Sequence, residues 1–192
     1  MKILKHLKSW EGFLAIILLV VVIVNSLLSE SFLSTENQIN LFVLSIEKVI
    51  IALIMAKIII NAEIDLSVAS MMGLSACALG WFVESGMPMT MALIASITIG
   101  AVGGAFNGFW ITVIKLPSLV VTLAMLIGFR GLARVLIGDR SIKMFPQWFE
   151  DLGQQPFFWN IPFSVMIFIV LLICVVIILE YTGFGRHIYT IG

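Results

Sequence analysis

Six apolar runs, each close to the length of a bilayer-spanning helix, constrain this chain more than any other feature. A spanning helix needs about 20 residues at a rise of 1.5 Å each to cross roughly 30 Å of hydrocarbon. Because 61% of the 192 residues are hydrophobic and only 11% are charged, an ordinary soluble domain is excluded. The predicted fold class is all-α, a polytopic transmembrane helix bundle in one domain over residues 1–192. The predicted spans are Phe13–Leu28, Leu41–Ile60, Ile64–Val83, Met89–Ile114, Leu119–Gly138 and Ile161–Leu179.

The distribution of lysine and arginine between the runs predicts the orientation in the membrane. With the N-terminus in the cytoplasm, the inner segments hold five of these residues, namely Lys2, Lys5, Lys8, Lys115 and Arg186. The outer segments then hold two, Arg140 and Lys143. Both ends of the chain are therefore predicted to be cytoplasmic. The first run has the flanks of a signal peptide, but its length favours an uncleaved first helix.

The sequence predicts no catalytic residue, no cofactor and no metal. Cys77 and Cys174 lie in separate apolar runs, outside any Cys/His cluster, and are predicted to be packing residues. The only histidines, His6 and His187, lie at the predicted cytoplasmic edges. No phosphate-binding Gly-x-x-x-x-Gly-Lys-Ser/Thr sequence occurs, and a net charge of zero gives no reason to expect a nucleic-acid partner. These absences disfavour an intramembrane enzyme.

A polar segment of six residues, Glu63–Val68, interrupts the apolar sequence where the second run ends and the third begins. At bilayer depth an ionisable group costs several kcal/mol unless it meets water or a partner. Two roles stay open for the segment. Asn61 or Asp65 is positioned to cap the third helix, and the segment is also placed to line a water-filled path or gate. Ser67 and Ser70 belong to the same candidate path.

Two polar side chains lie deep inside later runs and are also assigned to the candidate path. Asn107, in the inner third of the fourth run, must hydrogen-bond to a neighbouring helix or to water. Arg130 lies about 20 Å from the inner end of the fifth run. It is expected either to form an ion pair near Glu47 and Lys48 or to contact a polar solute.

Small residues and aromatic residues mark two further features. Gly100, Gly104 and Gly108 recur every four residues along the fourth run, which predicts close helix packing, with a hinge as the alternative. The longest outer loop runs from Asp139 to Asn160 and is rich in phenylalanine and tryptophan. A loop of this length is more often functional than idle. We expect it to hold a short helix on the outer surface that receives a partner.

Five sequence motifs, in order along the chain, resemble the permease subunits of bacterial ATP-driven sugar importers of the ribose, xylose and rhamnose type. The polar segment resembles that family's Gly-Gly-Ile-Asp-Leu-Ser-Val-Gly-Ser signature, with Ala62, Glu63 and Ala69 in place of three glycines. This variant favours the rhamnose-like branch. The motifs are Ala62–Ser70, Gly103–Gly108, Leu116–Leu123, Arg130–Ala133 and Thr182–Gly192.

The resemblance implies a fold, partners and further site residues. It implies the bacterial inner membrane, a second permease subunit of the same or another kind, cytoplasmic ATP-binding subunits and a periplasmic sugar-binding protein. That binding protein is expected to dock at Arg140, Lys143 and Trp148. Arg186, His187 and Tyr189 are expected on the cytoplasmic coupling side.

The length of the chain departs from that family. The resemblance implies a protein of about ten spans, of which this chain is predicted to contain about six. The chain is therefore expected to be an N-terminal fragment that stops before the ATPase-coupling loop. Two alternatives therefore stay open beside an importer of a rhamnose-like or ribose-like monosaccharide. One is a channel or carrier that ATP does not drive, and the other is an inactive permease fragment.

Overall fold

The computed structural model describes residues 10–142, 145–154, 156–158 and 161–191. The chain divides into two compact units, Met1–Ile46 and Glu47–Gly192. The prediction for Lys143 falls outside the described residues, and for Tyr189 only the backbone is described.

The first unit contains helix α1, Trp10–Leu28, and the beginning of helix α2, Thr35–Ile60. α2 starts six residues before the predicted span because Ser34 provides a local N-cap. The Oγ atom of Ser34 accepts a hydrogen bond from the backbone N–H of Asn37 at 3.3 Å. The Asn37 side chain donates in turn to the carbonyl of Phe32 at 2.8 Å. These contacts satisfy groups that the first turn of a helix leaves free.

A left-handed residue ends α2 immediately before the polar segment. The backbone N–H of Ala62 donates to the carbonyl of Ile59, and that of Glu63 donates to the carbonyl of Ile58. This is the Schellman arrangement, which places one residue in the left-handed region. That residue is Ala62, with φ of 57°, although glycine adopts this conformation with least strain. Helix α3 ends in the same way, but with glycine, Gly86, at φ of 87°.

Ala62→Gly is expected to stabilise the chain by about 0.5–1 kcal/mol. The left-handed conformation costs a residue with a Cβ roughly 1–2 kcal/mol, and the extra backbone entropy of glycine offsets part of the gain. The free energy of unfolding in detergent micelles measures the effect. Ala56→Gly, at an exposed position inside α2, is the matched control and should lose about 1 kcal/mol. A loss of stability in Ala62→Gly would contradict the strained turn.

The second unit contains a bundle of three helices, α3 (Val68–Glu84), α4 (Met89–Thr112) and α5 (Ser118–Ile137). α3 packs against both α4 and α5, and α4 also contacts α5. The predicted third span was wrong at its start, because residues 64–67 are not helical. The Asp65 side chain binds the backbone N–H of Ser67, and this local bond competes with helix formation.

The buried face of α4 differs from the predicted glycine stripe. Its members follow one another at steps of three, four, seven and four residues, and they are Met89, Ala92, Ser96, Gly103 and Asn107. A stripe with a step of four drifts away from such a face, because a helix has 3.6 residues per turn. A Cβ at Gly103 would overlap the Met71 side chain, and one at Gly100 would lie 3.3 Å from the Ser75 hydroxyl.

Gly104 and Gly108 lie off this face. A Cβ at either position would meet nothing within 4 Å in the described part of the chain. Their packing role therefore stays a prediction. Gly103, which the glycine stripe did not include, is the α4 glycine at which a Cβ would overlap a side chain of α3, that of Met71.

The segment after α5 contains the predicted short helix, α6 (Gln147–Gln154). Two very short strands follow, β1 (Pro156–Phe158) and β2 (Ile161–Pro162), which pair antiparallel and add a small element to the all-helical prediction. Helix α7 (Phe163–Tyr181) comes next, and Thr182 separates it from helix α8 (Gly183–Ile191). The Thr182 hydroxyl caps α8 by accepting from the N–H of Gly185 at 3.3 Å.

Three helices in the described residues are long and apolar enough to cross a bilayer, namely α4, α5 and α7. α1, counted from Gly12, and α3 are shorter apolar helices. α2 is long but carries Glu47, Lys48 and Lys57. The fold is therefore helical with several membrane-crossing elements, and the count of six spans stays a prediction.

Candidate functional site

A chain of hydrogen bonds joins the polar segment to helix α4. The Oδ1 atom of Asp65 accepts from the backbone N–H of Ser67 at 2.8 Å and from its hydroxyl at 2.7 Å. The Ser67 oxygen accepts in turn from the side-chain amide of Asn107 at 2.8 Å. The donors therefore run in one direction, from the amide through the hydroxyl to the carboxylate. Such a chain polarises its members and strengthens each bond.

Helix α5 joins the same cluster through Thr122. Its hydroxyl lies 2.8 Å from the carbonyl of Ser118, within α5, and 3.3 Å from the carbonyl of Ile64, in the polar segment. A single hydroxyl proton is thus shared between two acceptors. We refer to Asp65, Ser67, Asn107 and Thr122 as the polar latch, because it links the ends of α3, α4 and α5.

Three of the four latch residues are buried, and Asp65 is half-buried. Ser67 and Thr122 are each 1% exposed, and Asn107 is 5% exposed. The Asn107 Oδ1 atom accepts no hydrogen bond from the described residues. A buried polar group without a partner costs about 1–3 kcal/mol. The latch therefore holds one acceptor that is not satisfied within the described chain.

Asp65 does not cap α3 as predicted, because its carboxylate accepts from the N–H of Ser67 and not from the first N–H groups of the helix. Asp65 binds Ser67, the residue before the first helical position of α3, and so fixes the entry to the helix. Ser70 supports this turn by donating to the carbonyl of Ser67 at 2.7 Å. The Asn61 Oδ1 atom is buried and accepts no hydrogen bond from the described residues, so Asn61 does not cap α3.

Glu63 lies apart from the latch and is exposed. It lines an open cavity of about 540 Å³ together with Lys115, which has a positive φ of 62°. The cavity is formed by the two turns that precede α3 and α5, and its other walls are Ala62, Ile64, Ile111, Leu116, Pro117, Ser118 and Leu119.

Arg130 does not form the predicted ion pair. The described residues contain one ion pair, between Arg140 and Glu84 at 3.5 Å. The Arg130 side chain is exposed and lines a cavity between α3 and α5.

The predicted docking and coupling residues lie on the surface. Arg140 pairs with Glu84 but its side chain stays 63% exposed, and Trp148 on α6 is 48% exposed. Arg186 and His187 are exposed on α8. The roles predicted for these residues stay predictions.

Sequence reasoning missed Thr122, Gly103 and Gly185 as site or packing residues. Thr122 lies in the third of the five motifs, Leu116–Leu123. A threonine inside an apolar helix usually bonds its own backbone, so no sequence pattern predicts its contact with the polar segment. Asn107, by contrast, was predicted as a site residue because it is an amide deep inside an apolar run.

The fold and the latch define a multi-pass helical membrane protein whose buried polar groups tie helix ends together. A family model described as the permease component of a branched-chain amino acid transport system matches residues 37–192. The chain therefore belongs to this family of transport permeases, which are transport components rather than enzymes.

Two named relatives are permease proteins of an autoinducer 2 import system and of a xylose transport system. It is 30% identical to the autoinducer 2 import system permease protein LsrC of Enterobacter sp. (strain 638) over 192 residues, 100% of this chain and 55% of that protein. It is 28% identical to the xylose transport system permease protein XylH of Haemophilus influenzae over 226 residues, 84% of this chain and 60% of that protein.

A third relative is LsrD, the autoinducer 2 import system permease protein of Escherichia coli O9:H4 (strain HS). It is 34% identical over 149 residues, 74% of this chain and 45% of that protein. The chain thus spans about half the length of the curated relatives it matches. No solved structure matches the chain.

Proposed function

We propose that this chain forms the membrane-spanning permease subunit of an ATP-driven, binding-protein-dependent importer of a monosaccharide. A rhamnose-like or ribose-like sugar is the proposed substrate. The observation that carries the proposal is the polar latch. It brings together residues from three of the five resembling motifs. Asn107, Ser67 and Asp65 form one hydrogen-bonded chain, and Thr122 bonds the carbonyl of Ile64, the residue before Asp65.

The latch is proposed to act as part of the inner gate. Alternating access requires helix ends on one side of a membrane to separate and rejoin. The latch connects three such ends through side-chain hydrogen bonds, which break and reform with less rearrangement than an apolar core. When the ends separate, the exposed hydroxyl, amide and carboxylate groups can replace water around the hydroxyls of a sugar.

The proposed orientation follows the bias of lysine and arginine. Both ends of the described chain and the latch then lie at the cytoplasmic side of the bacterial inner membrane, and α6 lies at the outer side. The proposed partners are a second permease subunit, cytoplasmic ATP-binding subunits near Arg186, His187 and Tyr189, and a periplasmic sugar-binding protein. That binding protein would contact Arg140, Lys143 and Trp148. The ion pair with Glu84 holds the guanidinium of Arg140 in place at this surface.

Reconstitution in proteoliposomes tests the proposed function. The permease, expressed from its own gene, is combined with its ATP-binding subunit, and uptake of labelled ribose, xylose and rhamnose is measured with and without ATP and binding protein. We expect uptake of one of these sugars that requires both. Uptake that continues without ATP would favour a channel or carrier instead.

Asp65→Asn tests the proposed gate in the same assay. A charged acceptor forms stronger hydrogen bonds than a neutral one, and its loss should weaken the two bonds to Ser67 by about 1–2 kcal/mol. We expect about ten-fold slower uptake at normal membrane insertion. Asp139→Asn, an equivalent change at an exposed position after α5, is the matched control. Unchanged uptake in a well-inserted Asp65→Asn protein would remove Asp65 from the gate.

A further inference from the structure

A cavity of about 300 Å³ lies between α3 and α5, and none of the four latch residues lines it. α3 contributes small or polar residues to its walls, and α5 contributes one charged side chain, Arg130. The full lining is Ala69, Ser70, Gly73, Cys77, Leu126, Arg130 and Ala133. A Cβ at Gly73 would meet nothing within 4 Å, so the absence of a side chain there keeps the cavity open.

Arg130 has no carboxylate to neutralise it in this cavity. It lies seven residues before the end of α5 at Ile137, about 10 Å along the helix axis. The single ion pair of the described chain joins Arg140 and Glu84, so Arg130 is left as an unneutralised charge within a span. Such a charge is costly in hydrocarbon and marks a functional site by default.

The remaining polar groups of the cavity favour an anion over a neutral sugar. The guanidinium of Arg130 offers five donors and no acceptor, in a fork that fits a carboxylate or a phosphate. The Ser70 hydroxyl has already committed its proton to the carbonyl of Ser67. Recognition of sugar hydroxyls needs donors and strong acceptors together, and the cavity lacks a carboxylate or an amide among its described walls.

We propose that the cavity between α3 and α5 binds the carboxylate or phosphate group of an anionic ligand through Arg130. This site is separate from the sugar substrate proposed above. The shared chemistry is the anionic group, and its source is either a small soluble anion or the headgroup of an anionic lipid. Arg134, one turn further along α5, lines a neighbouring cavity with Arg130 and extends the positive surface toward the end of the helix.

Cys77 provides a direct reporter, because it lines this cavity. The chain has two cysteines, so Cys174→Ser leaves Cys77 as the single thiol. The variant chain is placed in nanodiscs of zwitterionic lipid. It is then treated with anionic sulfonatoethyl methanethiosulfonate or with its cationic trimethylammonium counterpart. The thiolate attacks the sulfenyl sulfur, a disulfide forms, and methanesulfinate leaves.

The anionic reagent is expected to react with Cys77 on the order of ten-fold faster than the cationic reagent, because Arg130 lines the same cavity and attracts the anion. Arg130→Gln should abolish the preference, whereas Arg130→Lys should keep it. Arg134→Gln is the matched control and should change the ratio of rates less than Arg130→Gln does, because that side chain does not line the cavity.

Competition identifies the source of the anion and needs no arginine variant. Protection of Cys77 by inorganic phosphate, relative to chloride at equal ionic strength, would support a soluble ligand. Protection by phosphatidylglycerol in the nanodisc would support a lipid headgroup. Equal rates for the two reagents, with no protection by either anion, would overturn the proposal. Sugar uptake is measured separately, so this result does not bear on the proposed importer function, which the uptake assay tests.

Discussion

Asn107→Asp is expected to lower the free energy of unfolding by about 3–5 kcal/mol, because it buries a second charge without a partner. The change preserves the size of the side chain, so packing on α4 is unaltered. It removes the side-chain N–H that donates to the Ser67 oxygen. The Ser67 hydroxyl cannot compensate, because it already donates its proton to Asp65. Two carboxylates then face one hydroxyl in a site where Asn107 is 5% exposed. Denaturant titration in bicelles measures the loss.

Two further variants separate this electrostatic effect from general damage. Asn107→Leu also removes the donor but adds no charge, and it should cost only about 1–3 kcal/mol. Asn40→Asp makes the same chemical change at an exposed position of α2 and should be close to neutral. If Asn107→Asp were as stable as the unmodified chain, the amide would not lie in a closed hydrogen-bonded site.

Gly185→Ala is expected to open the corner between α7 and α8. A Cβ at Gly185 would overlap the backbone carbonyl oxygen of Leu179, and it would also lie 2.6 Å from the Leu179 Cα. Backbone atoms cannot move aside as the end of a side chain can, so the corner itself must shift. α8 is held mainly by its contacts with α7, and Ile188 on α8 is 5% exposed. We therefore expect α8 to unfold locally before the rest of the chain loses structure.

Limited trypsin cleavage at Arg186 measures that opening, because Arg186 lies within α8. We expect cleavage at least about ten-fold faster in Gly185→Ala, equivalent to about 1.4 kcal/mol or more of local stability. Gly183→Ala is the matched control, since its Cβ would meet only the Arg186 side chain at 3.8 Å. Equal cleavage of the two variants would show that the corner does not require glycine at position 185.

The sequence predicted the long helices well because their signal is length and hydropathy. The fourth and fifth runs differ from α4 and α5 by one or two residues at their ends. The third run was misread because Ile64 and Leu66 are apolar, and hydropathy does not register the Asp65 side chain that holds this stretch out of the helix. A local side-chain bond to the backbone decided the boundary.

The candidate site was predictable as a set of residues but not as a contact. Asp65, Ser67 and Asn107 stood out individually, since each is polar in an apolar setting. Their meeting depends on the close approach of α3 and α4 at Gly103, where the Met71 sulfur would lie 2.8 Å from a Cβ. A regular four-residue glycine step pointed to Gly104 and Gly108 instead. The rotation of a helix within a bundle follows from all its packed side chains together, and one stripe does not determine it.

Ser67 and Asn107 act as one unit that joins α3 and α4. A double-mutant cycle tests it most directly, with Ser67→Ala, Asn107→Ala and the double variant compared by their free energies of unfolding in bicelles. Ser67→Ala combined with Thr98→Ala, whose hydroxyl bonds only within α4 in the described chain, is the reference cycle. We expect a coupling energy of about 1–2 kcal/mol for the first cycle and about zero for the second. A coupling energy within about 0.3 kcal/mol of zero between Ser67 and Asn107 would contradict the latch.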